Sequence, residues 1–257
     1  MLTPAGTEFT RLSGVNLVVS TVWREVNYLD HTLSNLMVEY PRSAQQPVYL
    51  VAGSSMTTHL EEYYPQPWIV VVEMGPTTWS WIKDSYTHYR ATWNYYRCLT
   101  QPVAGARGTL VLEDDIRFAQ GWCSRLDNTV ATLEAVHSSN FVLAVYGAWF
   151  SVVKAKQSGR LYVEYPHESF CGTQGIYYPA DIRQEFAKYL KAHGLVANED
   201  HYDRILRKYL IQSGIPLFAT TPCLIQHMGK KSVIETFWHE SSDFVENVAA
   251  EPLRQAE

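Results

Sequence analysis

Apolar and β-branched runs alternate along the chain with stretches whose apolar positions recur every three or four residues, the mark of strands alternating with helices. Val15 to Ser20, Pro47 to Val51 and Trp68 to Val72 read as strands, each followed by a polar or Gly/Ser-containing turn. Leu29, Leu33, Leu36 and Met37 fall at helical spacing after the first. Ile82, Tyr86, Tyr89, Trp93 and Tyr96 mark a second helix, with Lys83, Arg90, Asn94 and Arg97 on its other faces. Thr109-Leu110-Val111-Leu112 is a run without polar interruption apart from its leading Thr, and it stops abruptly at Glu113-Asp114-Asp115. Such a run suits a strand covered on both faces.

Beyond it, Trp122, Leu126, Val130 and Leu133 predict a helix, and Phe141 to Val145 a strand. Ala148 to Val153 and Leu161 to Tyr165 flank a polar turn, Lys154 to Arg160, that would close a hairpin or form a flap. Two glycines, Gly172 and Gly175, precede a strand at Ile176 to Tyr178. Ile182, Phe186 and Leu190 predict a helix capped at Gly194, and Ile205, Leu206, Tyr209 and Leu210 another. Ile215 to Ala219 is a last strand. The repetition predicts a layered α/β fold with a mainly parallel central sheet flanked by helices. A single domain over 1–239 and an acidic tail over 240–257 are expected.

Length and composition narrow the picture. With 257 residues and 46% apolar content the chain can bury one substantial core. A net charge of −5 and the lack of any Lys/Arg run argue against charge-driven binding to nucleic acid or an anionic membrane, although Lys154, Lys156 and Arg160 would make a local basic groove. Cys98, Cys123, Cys171 and Cys223 are far apart and form no CxxC pair, so reduced, structural thiols are expected. No stretch nears the roughly 20 apolar residues needed to cross a bilayer, and no basic-then-apolar leader opens the chain. The expectation is a soluble, cytoplasmic protein, though a chain trimmed of an anchor would read the same.

The candidate chemistry lies at strand ends. In open α/β sheets ligands bind outside the carboxyl ends of the strands. Three consecutive acids there repel one another unless a cation, an arginine or solvent relieves them. A hard divalent metal fits, and so does a solvated acidic turn. The loop Thr21 to Val26 would either hold a base or diphosphate through Thr21 and Arg24, or simply connect strand to helix. Asn198-Glu199-Asp200-His201-Tyr202-Asp203 opens a helix, where Asn198 or Asp200 would serve as an N-cap, or a carboxylate facing a cleft would act as a base. His227 precedes Gly229-Lys230-Lys231-Ser232, a turn suited to phosphate, although a lone histidine is more often structural.

In their order, Glu113-Asp114-Asp115, the Gly172 to Gly175 segment, Asn198-Glu199-Asp200 and His227 resemble the DxD-type motif, glycine loop, acidic helix-start motif and C-terminal histidine of nucleotide-sugar glycosyltransferases of the GT-A fold. Within that fold the chain is most similar to the N-acetylglucosaminyltransferase IV family, through Ser20 to Val26, Leu112 to Ile116 and Gln226 to Ser232. It is shorter than those enzymes, lacks their membrane anchor and has an aromatic-rich middle of its own. The resemblance implies a Rossmann-like GT-A domain. It also implies a metal-dependent, inverting transfer of a sugar (GlcNAc, Glc or similar) from a nucleoside diphosphate donor, such as a UDP-sugar, to a hydroxyl acceptor. The acceptor is a glycan or, less in keeping with the charge, a nucleic-acid base.

By the same resemblance Asp115 and His227 would hold Mn²⁺ or Mg²⁺. Thr21, Arg24, Glu25, Arg90, Glu113, Asp114, Lys230 and Lys231 would bind the donor. Asp200 would be the base, with Glu199 and Asp203 as local rivals. Gly172, Gly175, Glu199 and Tyr177 or Tyr178 would meet the sugar and acceptor. Two rival readings stand beside it. A sugar-phosphate nucleotidyltransferase would carry a Gly-rich basic loop after its first strand, and Thr21 to Glu25 contains no glycine. A non-catalytic carbohydrate- or nucleotide-binding protein would use the eight Trp and seventeen Tyr as stacking surfaces.

Overall fold

A computed structural model describes residues 12, 14–22, 27–40, 46–54, 60–102, 107–147, 160–170, 172–229 and 240–244. The strands are β1 (Val15–Thr21), β2 (Val48–Ala52), β3 (Ile69–Val72), β4 (Gly108–Glu113), β5 (Ile116–Phe118), β6 (Val142–Ala144), β7 (Tyr162–Glu164), β8 (Gly175–Pro179), β9 (Leu217–Thr220) and β10 (Ile225–His227). The α-helices are α1 (Tyr28–Met37), α2 (Leu60–Tyr63), α3 (Pro76–Ile82), α4 (Thr87–Leu99), α5 (Trp122–His137), α6 (Ala180–Leu190) and α7 (Tyr202–Ser213).

Eight strands form one sheet in the order β3-β2-β1-β4-β8-β6-β9-β7, and β10 pairs with β5 in a small second sheet. β3, β2, β1 and β4 are mutually parallel, as are β6 and β9, while β8 and β7 run against their neighbours. The fold is therefore α/β with a mixed, mainly parallel sheet, as the alternating pattern predicts.

Side-chain alternation sends each strand's apolar residues into two layers. Val15, Leu17 and Val19 of β1, with Leu110 and Leu112 of β4, pack under α1 and α5 through Leu33, Leu36, Leu126 and Val130. Val18, Val111, Ile176 and Tyr178 face the other way, against Tyr95 and Leu99 of α4, Phe186 and Leu190 of α6, and Ile205 and Leu206 of α7. A run apolar at every position is what a strand needs when helices cover both faces.

Two expectations change. The second helical pattern is two helices, α3 and α4, separated by Lys83 to Tyr86. Gly194 does not cap α6; the chain continues into a π-helical turn, Lys191–Val196, where a Cβ on Gly194 would lie 2.8 Å from Thr92 Cγ2. The glycine is there for helix-to-helix approach. In the acidic stretch, Ser241 donates its amide to Gln226 Oε1 at 3.0 Å and Asp243 accepts from the Cys223 amide at 3.2 Å. Cys98, Cys123 and Cys223 are buried free thiols, while Cys171 and the flap at 148–159 lie outside the described residues. Among the described residues no helix is long and apolar enough to cross a membrane.

Gly108 opens β4 directly beneath the fully buried Tyr177, and a Cβ there would collide with the phenol end of that ring. Gly108→Ala is expected to cost about 1–3 kcal/mol by overpacking, read as a lowered midpoint in denaturant titration.

Candidate metal centre

β4 ends at Glu113, and only Asp114 and Asp115 separate it from β5, which starts at Ile116. α1 fixes this turn. Thr32 Oγ1 lies 2.8 Å from the carbonyl oxygens of Asp114 and Ile116 and accepts from the Ile116 amide at 3.1 Å. One turn on, Asn35 Oδ1 accepts from the Phe118 amide. Both are buried polar residues inside the apolar stripe of α1, and that misfit with helical amphipathicity was the available sequence signal for them.

The three acids leave the turn in different directions. Asp114, buried, accepts from Thr21 Oγ1 at 2.7 Å and from the Val22 amide at 3.0 Å, tying down the loop after β1. Asp115, 2% exposed, brings Oδ2 to 3.2 Å from His227 Nε2, and His227 is 8% exposed. The pair is locked from the main chain as well, since the Met228 amide donates to the Asp115 carbonyl at 2.7 Å. Glu113, half-buried, receives Thr173 Oγ1 and the Tyr202 hydroxyl on Oε1, each at 3.4 Å. Burial, and then the charge of Glu113, push the Tyr202 phenol well above its ordinary range, so it remains a donor.

Glu113, Asp115 and His227 each offer a ligand atom, all within 4.8 Å of one another. Two carboxylates and an imidazole make an oxygen-rich set with one nitrogen, suited to a divalent cation such as Mn²⁺ or Mg²⁺. The backbone is shaped around it: a Cβ on Gly229 would run into Asp115 Oδ2 and sit 2.9 Å from His227 Nε2. The resemblance implies Asp115 and His227 for the metal but Glu113 for the donor, and reads Gly229 as part of a phosphate turn; Thr32, Thr173 and Tyr202 carry no such expectation.

The other expected site residues fall in several places. Thr21 lies beside the centre through Asp114. Arg24, Glu25, Lys230 and Lys231 lie outside the described residues. Arg90 is not drawn to the turn; its guanidinium donates to the carbonyls of Lys83 and Ser85, at the start of its own helix. Asn94 and Arg97 are the polar groups of α4 that reach the carboxyl ends of the strands, Asn94 donating to Ser20 Oγ and the Val51 carbonyl and Arg97 to the Ala52, Val72 and Glu73 carbonyls.

Gly172, at φ +81°, has its amide near enough to Asp203 to help hold that carboxyl below its ordinary value. Gly175 is no sugar contact. It sits within β8 opposite Leu112, and a Cβ there would press Val145 and Ile225, so its smallness serves core packing. Tyr177 and Tyr178 are likewise fully buried, one in each core layer, with no face left for an acceptor.

Glu199 pairs with His193 Nδ1 at 2.8 Å near the surface. Asp200 lies 3.5 Å from Arg204 and 3.4 Å from Lys208, on the outward side of α7. Burial raises the Asp200 carboxyl, but the His201 amide, Lys208 and Arg204 outweigh it and leave it below the usual carboxylate range. Asp203 turns inward, with Oδ1 2.8 Å from His201 Nδ1. Burial again acts upward there, and His201 with the Arg204 and Gly172 amides brings the group below its ordinary value.

Replacing Gly229 with alanine should separate Asp115 from His227 while leaving the fold intact. Calorimetric titration of Mn²⁺ is expected to show at least about a tenfold loss of affinity, the scale of damage to groups that support metal ligands. Unchanged Mn²⁺ affinity would mean that the group is no metal centre or that its geometry is looser than drawn. Comparison with known proteins finds no family model that matches the chain and no curated protein that matches it.

Proposed function

We propose that this chain is a metal-dependent, inverting glycosyltransferase of GT-A type that moves a sugar from a nucleoside diphosphate donor to a hydroxyl acceptor. The observation that carries the reading is the convergence of Glu113, Asp115 and His227 at the carboxyl end of β4, in a mixed, mainly parallel sheet. That edge is where α/β sheets bind ligands. The order of motifs along the chain, similar to that of the N-acetylglucosaminyltransferase IV family, supports it independently. No helix among the described residues spans a membrane, and the compartment stays an expectation.

In this reading Glu113, Asp115 and His227 would hold Mn²⁺ or Mg²⁺, whose charge would offset that of the departing nucleoside diphosphate. Thr173 and Tyr202 orient Glu113 by donating to it. Asp114 holds the end of β1 through Thr21 and Val22, so the residues that lead into the segment expected to meet the nucleoside are tied to the acidic turn itself. The Gly172 segment, near Asp203, would border the sugar. A base is still required near the head of α7 to accept the proton of the attacking hydroxyl.

Incubation with UDP-GlcNAc or UDP-glucose and Mn²⁺, without acceptor, is expected to release UDP slowly, detected by mass spectrometry. Chelation should stop the release, and Asp115→Asn should lower it by about 10²-fold or more. UDP binding without any turnover would instead identify a nucleotide-binding protein, and the absence of both would remove the glycosyltransferase reading.

A further inference from the structure

We infer that His201, oriented by Asp203, is the proton acceptor at the head of α7, an inference that rests on the glycosyl-transfer reading above. The local carboxylates divide by their partners. Glu199 is taken by His193, and Asp200 faces two cations, Arg204 and Lys208. Cations that close hold a carboxylate ionised and weaken it as a base. Asp203 turns inward instead, and its Oδ1 meets both His201 Nδ1 at 2.8 Å and the Arg204 amide at 2.7 Å.

An ionised carboxylate only accepts hydrogen bonds, so the proton between Asp203 and His201 resides on Nδ1. A neutral ring so held has its lone pair on Nε2, the arrangement in which an acid orients a histidine to work as a base. His201 Nε2 is buried and makes no hydrogen bond with any described residue. A donor hydroxyl would satisfy it.

The position suits the chemistry. The His201 imidazole lies against the Tyr202 ring, with centroids 4.4 Å apart, and the hydroxyl of that same tyrosine reaches Glu113 of the metal group. One tyrosine thus stands between the base and the centre. On the other flank the Gly172 amide, at the loop expected to border the sugar, helps to hold the Asp203 carboxyl below its ordinary value.

The step balances as a single displacement. The hydroxyl proton of the acceptor passes to His201 Nε2 as its oxygen forms a bond to the anomeric carbon. The bond from that carbon to the diphosphate oxygen breaks, and its electron pair leaves with the nucleoside diphosphate. Asp203 stabilises the imidazolium that results.

Donor hydrolysis tests this without an identified acceptor, because water then supplies the attacking hydroxyl. UDP release from whichever of UDP-GlcNAc and UDP-glucose the parent hydrolyses is followed with Mn²⁺ present, and UDP binding is measured by calorimetry on each variant. His201→Gln is expected to lower release by about 10²-fold or more while UDP binding stays within about threefold. Imidazole in solution should restore part of the rate to His201→Ala but not to Asp115→Asn. Asp203→Asn should also fall, whereas Asp200→Asn should lose less than about tenfold.

The inference is overturned if His201→Gln releases UDP within about threefold of the parent, or if Asp200→Asn alone shows the deep loss. Loss of UDP binding in His201→Gln would overturn it too, by assigning the residue a structural role. A parent that hydrolyses neither donor removes the transfer reading and this inference with it. A parent that turns over while the histidine variants do as well removes only the inference.

Discussion

Three carboxylates in succession cannot share one direction at the mouth of a buried strand, because close like charges disfavour ionisation of one another. The turn after β4 relieves part of the conflict by sending Asp114 elsewhere, while Glu113 and Asp115 still meet within 4.8 Å beside His227. Asp114 goes to the loop after β1, Asp115 to β10, and Glu113 to the segment before β8 and the head of α7. Each tether reaches across the sequence, over 93 residues from Asp114 to Thr21 and 112 from Asp115 to His227. The charge problem and the assembly of the centre therefore have the same solution: segments distant in the chain meet where the acids need partners.

Such dispersal works only if the turn itself cannot shift. Its rigidity comes from α1, which is amphipathic yet carries Thr32 and Asn35 on the covered side, where they satisfy main-chain groups of the turn and of β5. Buried polar side chains are tolerated when fully engaged, and they then specify one backbone path more sharply than apolar packing does. β10 is steadied in a comparable way from the chain's far end, where Ser241 and Asp243 hold the backbone and side chains on either side of Leu224.

Much of the architecture was legible because strands covered on both faces leave an unmistakable record, as in Val15 to Ser20 and Thr109 to Leu112. The acidic turn and His227 were legible too, as residue types placed at strand ends. What escaped was everything that depends on which neighbour fills a given space. Gly175 and Gly194 look like loop or cap glycines in one dimension, and both prove to be contact glycines, pressed by Val145 and by Thr92. Tyr177 looks like a free ring and is sealed against Gly108. Gly229 reads locally as part of a phosphate turn, whereas its need arises from two side chains, Asp115 and His227, that converge on it. Arg90 spends its guanidinium on the carbonyls of Lys83 and Ser85, a choice that helical periodicity does not reveal.

Tyr202 shows how far the core governs the chemistry. Its ring stacks on Tyr95 at 4.6 Å, and the Tyr95 hydroxyl is 2.8 Å from that of Tyr178, inside the layer that α4, α6 and α7 press against the sheet. The same ring bears the His201 imidazole, and its hydroxyl bears Glu113. Spacing between the proposed base and the metal group is consequently set by a stack of buried aromatic rings rather than by a loop. Close-packed interiors yield little to small forces. A base and a charge-bearing centre must act together on one substrate, and small misplacements between such groups are costly in rate. Placing the ruler between them in the core, rather than at the surface, is the arrangement that physical reasoning would demand of such a pair.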